Sequence, residues 1–312
     1  MNNEKTFWLP EQASTFTQSM DSVFYVYTYL ALFILVAIVA VIVYFGFKYS
    51  RKSPDQKAKS QITHNLKLEI VWTVIPGIIF FAFFAWGLVG FMDMSVAPSN
   101  AIRIDAVAQK WVWKFNYSNG VSTDTLRVPI NRPVKMVMKS RDVLHSFFIP
   151  AFRVKKDVIP NQYTTLWFNA TKKGAFNLFC TEFCGTGHSR MLTKVLVMEA
   201  VEYEEWLAEE KSASSSATPL EVGEKIYNQN CKACHSIDGI RLVGPALNGL
   251  FGKEEEMTDG RKVKVDKNYI LKSLEDPNAD IVKGYQGIMT SFKGTFSVEE
   301  VDAISEYLKS LK

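Results

Sequence analysis

Cys180-Thr181-Glu182-Phe183-Cys184-Gly185-Thr186-Gly187-His188-Ser189-Arg190-Met191 sets two thiols, an imidazole and a thioether within twelve residues. Sulfur donors select copper, zinc or iron–sulfur clusters over harder ions, and imidazole suits copper and zinc. One more distant His would close a tetrahedral Cys2His2 zinc site. Met191 and Glu182 are surplus to such a site, whereas copper electron-transfer centres take a weak axial Met or a backbone oxygen, so the donor set favours copper. Gly185-Thr186-Gly187 lacks the third glycine of a dinucleotide-binding turn and runs straight into donors, which excludes that reading.

On both sides of this stretch the hydrophobic pattern has a period of two. Ile102, Ile104, Ala106 and Ala108 alternate with Arg103, Asp105 and Val107, and Val134, Met136 and Met138 alternate with Lys135, Val137 and Lys139. These are half-buried strands. Tyr163 to Asn169, Ala175 to Phe179 and Leu192 to Met198 add further strands, so the region predicts a small antiparallel β-sandwich with the donors on a loop. Trp111, Trp113, Phe115 and Tyr117 stand at alternate positions, as one strand face packed into a core does.

Toward the N-terminus, Ser22 to Phe47 gives 26 residues without a charge and Ile70 to Met92 gives 23, each long enough to span a bilayer as a helix. Both runs are apolar on every face, unlike the one-sided stripe of a soluble helix. The first is too long for a secretory signal, and Lys5 is the only base before it. Pro76-Gly77 inside the second is tolerated in membrane helices. The connecting loop carries Lys48, Arg51, Lys52, Lys57, Lys59 and Lys67, which predicts a cytoplasmic loop with both termini outside. Residues 1–22 read as an ordered or surface-lying tail with an apolar patch at Phe7-Trp8-Leu9, and Glu69 reads as an interfacial acid.

Toward the C-terminus, residues 211–219 are small, polar and of low complexity, as a flexible tether is. Beyond them Cys231-Lys232-Ala233-Cys234-His235 matches the c-type haem attachment pattern; a redox dithiol or half a zinc site is the alternative. A downstream Met as second axial ligand would raise the haem potential, and Met289 and Met257 are the candidates. Met257 follows Glu254-Glu255-Glu256, which reads as solvated loop. Val301, Ile304, Tyr307, Leu308 and Leu311 repeat at helical spacing over a final helix, Val298 to Leu311.

A chain of 312 residues exceeds a single compact core. The net charge of +4 is spread thinly, with no basic cluster to mark a nucleic-acid partner. The expected fold is multidomain: residues 1–94 form a tail and a two-helix transmembrane hairpin, 95–210 an all-β domain, 211–219 a linker and 220–312 an all-α haem domain.

The donor stretch resembles the binuclear CuA signature of subunit II of the haem-copper cytochrome c oxidases, Cys-x-Glu-x-Cys-Gly-x-x-His-x-x-Met, at every position. The family's upstream ligand segment is matched by Asp142-Val143-Leu144-His145-Ser146. The resemblance implies a cupredoxin-like sandwich in which Cys180 and Cys184 bridge two coppers. His145 and His188 each ligate one copper, and Met191 and the Glu182 carbonyl bind weakly. It also implies a magnesium, facing the Glu182 carboxylate, shared with subunit I. Glu69-Ile-Val-Trp72-Thr-Val-Ile-Pro76 resembles the start of the family's second helix, which implies that Glu69 admits protons. Trp111 resembles the tryptophan at which electrons reach the copper domain. Gly223 to Tyr227 as a helix, and Gly244-Pro245-Ala-Leu247-Asn-Gly249-Leu after the haem motif, resemble class I cytochromes c. In that resemblance Met289 is the axial ligand.

The resemblance implies an oxidoreductase subunit in a bacterial cytoplasmic membrane, with its copper and haem domains on the periplasmic side. Subunits I and III and the lipid would be its partners. The donor would be a cytochrome c or a quinol:cytochrome c reductase. Electrons would pass from haem c to copper and on to haem in subunit I, where oxygen is reduced to water with proton pumping. With His145, His188 and His235 assigned, only His64 remains of four histidines, too few for an oxygen-reducing site in this chain. A membrane-tethered copper chaperone or thiol-redox protein would need neither Met191 nor a haem domain. A quinol oxidase subunit would lack the copper donors, and a nitrous oxide reductase would need many more histidines.

Overall fold

The structure, a computed structural model, describes residues 8–57, 60 and 62–311. Lys5, Phe7 and Lys59 lie outside the described residues. Helices α1 (Thr17–Lys48) and α2 (Leu66–Ser95) carry the two apolar runs, and their large apolar side chains face outward along most of their length. Such surfaces are stable only against lipid or another protein. The Asn65 side chain accepts from the Leu68 amide at 3.2 Å, and Glu69 accepts from the Asn65 amide at 3.1 Å, so Glu69 closes the first turn of α2.

The outer ends of both helices are fixed to the β-domain. Asp21 on α1 meets the Arg153 guanidinium at 2.7 and 2.9 Å, and the two side chains are only 8% and 11% exposed. The Arg153 backbone is left-handed, with φ of 58°, which turns its side chain back to the helix. The tail adds backbone bonds, Ala13 N to Ala151 O at 3.0 Å and Thr171 N to Ala13 O at 2.9 Å. Residues 10–16 are thus a strap on the sandwich. On α2, the carbonyl of Asp93 accepts from Trp167 Nε1 at 3.1 Å.

The sandwich comprises β1 (Ile102–Gln109), β2 (Val112–Tyr117), β3 (Ser122–Thr123), β4 (Leu126–Pro129), β5 (Pro133–Ser140), β6 (His145–Ile149), β7 (Val154–Val158), β8 (Thr164–Asn169), β9 (Gly174–Cys180) and β10 (Leu192–Met198). One sheet runs β3-β2-β1-β5-β8 and the other β4-β10-β9-β6-β7. The expected alternation is present: Ile104, Ala106, Val134, Met136 and Met138 point into the core, and so does the aromatic face of Trp113, Phe115 and Tyr117. The sandwich is not wholly antiparallel, because β1 runs parallel to β5 and β4 to β10. A period of two marks which face is buried and is blind to strand direction.

Helix α3 (Ala200–Ser216) follows β10, so residues 211–216 of the compositionally tether-like stretch are helical, with the Ser215 and Ser216 hydroxyls bonded to the carbonyls of Lys211 and Ser212. Only Ala217 and Thr218 separate it from α4 (Pro219–Ile226), which opens with a Thr218/Glu221 capping box. The C-terminal unit continues through a π-turn at Tyr227–Cys231, a hairpin of β11 (Glu254–Glu256) and β12 (Lys262–Lys264), α5 (Lys267–Glu275) and α6 (Val298–Ser310). The acidic run is therefore a strand paired with a basic one, and Met257 behind it is 1% exposed. Helix α4 crosses α6 at Gly223, where a Cβ would lie 2.2 Å from the Ala303 carbonyl oxygen. Val301, Ile304, Tyr307 and Leu308 of α6 are buried, as their spacing predicts.

Candidate metal centre and haem cavity

The donor cluster forms at one corner of the sandwich because two neighbouring antiparallel strands meet it at opposite ends. His145 is the first residue of β6 and Cys180 the last of β9, and the register pairs Phe147 with Cys180. The loop 181–191 then returns to β10, its base closed by Cys180 N to Met191 O at 3.1 Å. All six sequence-predicted donors come together. The Cys180 and Cys184 sulfurs are 3.9 Å apart, His145 Nδ1 is 3.8 Å from Cys180 Sγ, and His188 Nδ1 is 3.4 Å from Cys184 Sγ. Met191 Sδ is 3.7 Å from Cys184 Sγ, and the Glu182 carbonyl is 3.3 Å from Cys180 Sγ.

The donor set fits a thiolate-bridged metal. Metal–thiolate bonds of about 2.3 Å allow two sulfurs to share an ion when they are closer than about 4.6 Å. The separation of 3.9 Å satisfies this and is far longer than a disulfide. His145, Cys180 and Cys184 donors lie within 4.8 Å of one another, while His188 stands outside that group, against Cys184. Each imidazole thus sits against a different sulfur.

The electrostatics favour a thiolate at Cys180. Burial works against it, yet hydrogen bonding with His145 and the Glu182 and Ser146 backbone brings this thiol down to about 7, while burial and the neighbouring Cys180 push Cys184 up to about 12. Asp142 holds the other face of His145, with Oδ1 2.8 Å from Nε2. Burial opposes the Asp142 charge, but bonds from His145 and from the Lys110 and Val143 amides hold its carboxyl below the usual range. An ionised carboxylate only accepts, so Nε2 carries a proton; Nδ1, whose hydrogen bond favours the Cys180 thiolate, is the ring nitrogen on the sulfur side.

Trp111 is 5% exposed and donates from Nε1 to the Cys184 carbonyl at 3.1 Å. The two glycines set aside as a dinucleotide motif have their reason here. A Cβ on Gly187 would lie 2.3 Å from the Trp111 ring, and one on Gly185 3.3 Å from it. Sequence reasoning named the segment of Asp142 without giving that residue a role. The carboxylate three residues before a ligand-type His is the signal that could have found it.

In the C-terminal unit Cys231, Cys234, His235 and Met289 line one cavity, partly open to solvent. His235 Nδ1 donates to the Pro245 carbonyl at 2.8 Å, leaving Nε2 as the free donor atom. Burial holds the His235 imidazole below its ordinary range, toward the neutral ligand form. Gly244 packs flat on that ring, since a Cβ there would be 2.4 Å from Cε1. Met257 is not among the lining residues. Two free cysteines, one oriented imidazole and one thioether on a single apolar cavity are what a covalently attached haem requires.

Two exposed apolar helices, a sulfur-and-imidazole cluster in a β-sandwich and a haem-type cavity in a helical unit define a membrane-anchored electron-transfer protein. The family described as "Cytochrome C oxidase subunit II, transmembrane domain" matches residues 2–88, its "periplasmic domain" residues 121–201, and "Cytochrome c" residues 220–312. The chain is 31% identical to cytochrome c oxidase subunit 2 of Alkalihalophilus pseudofirmus over 89% of its length and 84% of the relative. It is 29% identical to that of Bacillus sp. strain PS3 over 84% and 79%. The solved periplasmic domain of Bradyrhizobium japonicum oxidase subunit II aligns with 38% of this chain and 98% of that one, at 30% identity and a TM-score of 0.36. The chain belongs to the cytochrome c oxidase subunit II family and carries a fused C-terminal cytochrome c domain. It is a subunit of an oxidase, and other oxidase subunits complete the complex.

Proposed function

We propose that this chain is the subunit through which electrons enter a haem-copper oxidase, passing from a donor through haem c to a binuclear CuA centre and on to haem in subunit I. The observation that carries the proposal is the split of the donors: His145 with Cys180, and His188 and Met191 with Cys184, around a shared sulfur pair. A single tetrahedral ion would draw all four Cys and His donors together, whereas two bridged ions need one imidazole each. In this reading His145, Cys180, Glu182, Cys184, His188 and Met191 hold the copper pair. Cys231 and Cys234 would carry the thioether links, and His235 and Met289 would hold the haem iron. When bound, the two groups supply one-electron carriers. The chain's residues fix their ligands: Asp142 and the Pro245 carbonyl hold the imidazoles, and the Trp111 indole braces the Cys184 turn.

The finer assignments belong to the same proposal. Trp111 lies on the route of the electron to the copper pair, Glu69 admits protons, and the Glu182 carboxylate faces a magnesium shared with subunit I. Subunit III completes the assembly, and the donor is a cytochrome c or a quinol:cytochrome c reductase. Residues 1–94, 95–210, 211–219 and 220–312 are the hairpin, copper domain, linker and haem domain. Both termini lie on the periplasmic side of a bacterial inner membrane. The test is an electron paramagnetic resonance spectrum of the purified full chain loaded with copper and haem. A narrow multi-line copper signal from one electron shared over two nuclei, beside a low-spin ferric haem signal, is expected. An ordinary mononuclear copper signal would overturn the proposal.

A further inference from the structure

The two soluble units touch, and the contact is built on residues adjacent to the proposed ligands of both. Asp142 has two oxygens with separate duties. Oδ1 accepts from the Val143 amide at 2.7 Å and from His145 Nε2 at 2.8 Å; Oδ2 accepts from the Lys110 amide at 2.8 Å and from the Thr290 hydroxyl at 3.0 Å. Thr290 is the residue after Met289, and 148 positions separate it from Asp142. A second bond joins the units, in which Gln229, buried two residues before Cys231, donates to the Ser122 carbonyl at 2.9 Å. Ala233, Cys234, Val243 and Ile288 also pack against the core of the copper domain. Gln109, at the end of β1, and Lys110, just before Trp111, form part of the wall of the haem cavity.

We infer that Asp142 is a positioning residue shared by both centres. One oxygen orients His145, the other latches the haem domain through Thr290, and the partner docked on this face of the copper domain is the chain's own haem domain. A bond from a neutral hydroxyl to a buried carboxylate is among the stronger hydrogen bonds, and its loss leaves Oδ2 with the Lys110 amide alone. Because Thr290 is covalently next to Met289, releasing the latch moves the haem segment without deleting any ligand. The inference rests on the proposed roles of His145 and Met289, and its test is chosen to succeed or fail separately from them.

The experiment compares the full chain, purified in detergent, with Thr290→Val, which keeps the shape and removes the donor, and Thr290→Ser, which restores it. Hydrogen exchange is followed in segments 108–113 and 286–292. Electron redistribution from haem to copper is followed after flash reduction of the haem. In T290V, exchange in both segments rises about tenfold or more, and redistribution slows. The copper resonance signal and the haem absorption stay as in the parent chain, and T290S recovers both readouts. Exchange in T290V equal to the parent chain's, or a T290S variant that behaves like T290V, overturns the latch. The exchange readout needs neither metal, so it decides the latch even if the copper and haem signals refute the functional reading.

Discussion

Replacing Gly187 by Ala tests whether the donor loop is seated on the Trp111 indole. The added Cβ would lie 2.3 Å from Trp111 Cδ2 and 2.4 Å from Cε3. Carbon atoms make contact at about 3.5 Å, so loop and ring must separate by roughly 1.2 Å. The ring has nowhere to go, because it is buried and tied through Nε1 to the Cys184 carbonyl on the same loop. The loop must therefore lift, taking the neighbouring His188 away from Cys184, 3.4 Å distant. Overpacking of this kind costs about 1–3 kcal/mol. The metal-free loop can relax and the metal-bound loop cannot, so the cost falls on metal affinity, a loss of about 5- to 150-fold. Competition titration of copper into the purified chain against a chelator measures it. The double variant with Trp111→Ala should recover most of the loss by removing the obstructing ring. A G187A chain that binds copper within twofold of the parent would refute the reasoning.

Three further perturbations reach the rest of the molecule. Asp21→Asn leaves the nearly buried Arg153 guanidinium without its counter-charge and should destabilise the joint between α1 and the copper domain by about 3 kcal/mol, seen as a lower melting temperature by calorimetry; an unshifted transition would remove the joint's role. Gly244→Ala puts a methyl 2.4 Å from His235 Cε1 and 2.7 Å from Nδ1, so the ferric haem should lose its low-spin His ligation in the absorption spectrum; a spectrum like the parent's would count against His235 as ligand. Asp280 is held below the usual carboxylate range, foremost by Lys272 and further by Arg261, against burial. Its contribution to stability is therefore present above the unfolded value of about 3.9 and lost as pH falls through the lower folded value. The stability gap between the parent chain and Asp280→Asn should be level near neutrality and close only below about pH 4; a gap that closes near pH 6 would rule this account out.

The donor loop was legible in the sequence because its chemistry is local: a strand, eleven residues of loop and a strand deliver Cys180 to Met191 as one piece. His145 was reachable only through a family resemblance, since its place beside Cys180 depends on the pairing of β6 with β9. Composition misled twice, in both cases because side chains found partners that composition does not reveal. The Ser-rich stretch stays helical through Ser216 because its hydroxyls bond back to carbonyls one turn earlier, and Glu254–Glu256 is a strand because Lys262–Lys264 lies opposite it. The parallel pairs and the bond from Thr290 to Asp142 left no trace in the pattern, for nothing local marks which distant strand or hydroxyl will arrive.

The proposed copper and haem ligands share one device. His145 donates from Nε2 to a carboxylate, and His235 donates from Nδ1 to a backbone carbonyl, each acceptor being held by its own surroundings. In both cases the partner can only accept, so the tautomer is set and the opposite ring nitrogen is the one available to a metal. A carrier of single electrons works fastest when its ligands need not rearrange between oxidation states. Rings pinned on their far side by groups that do not themselves bind metal meet that requirement before any metal arrives. Asp142 extends the device: because the carboxylate that pins His145 also accepts from Thr290, the order that prepares one centre also holds the second unit against it.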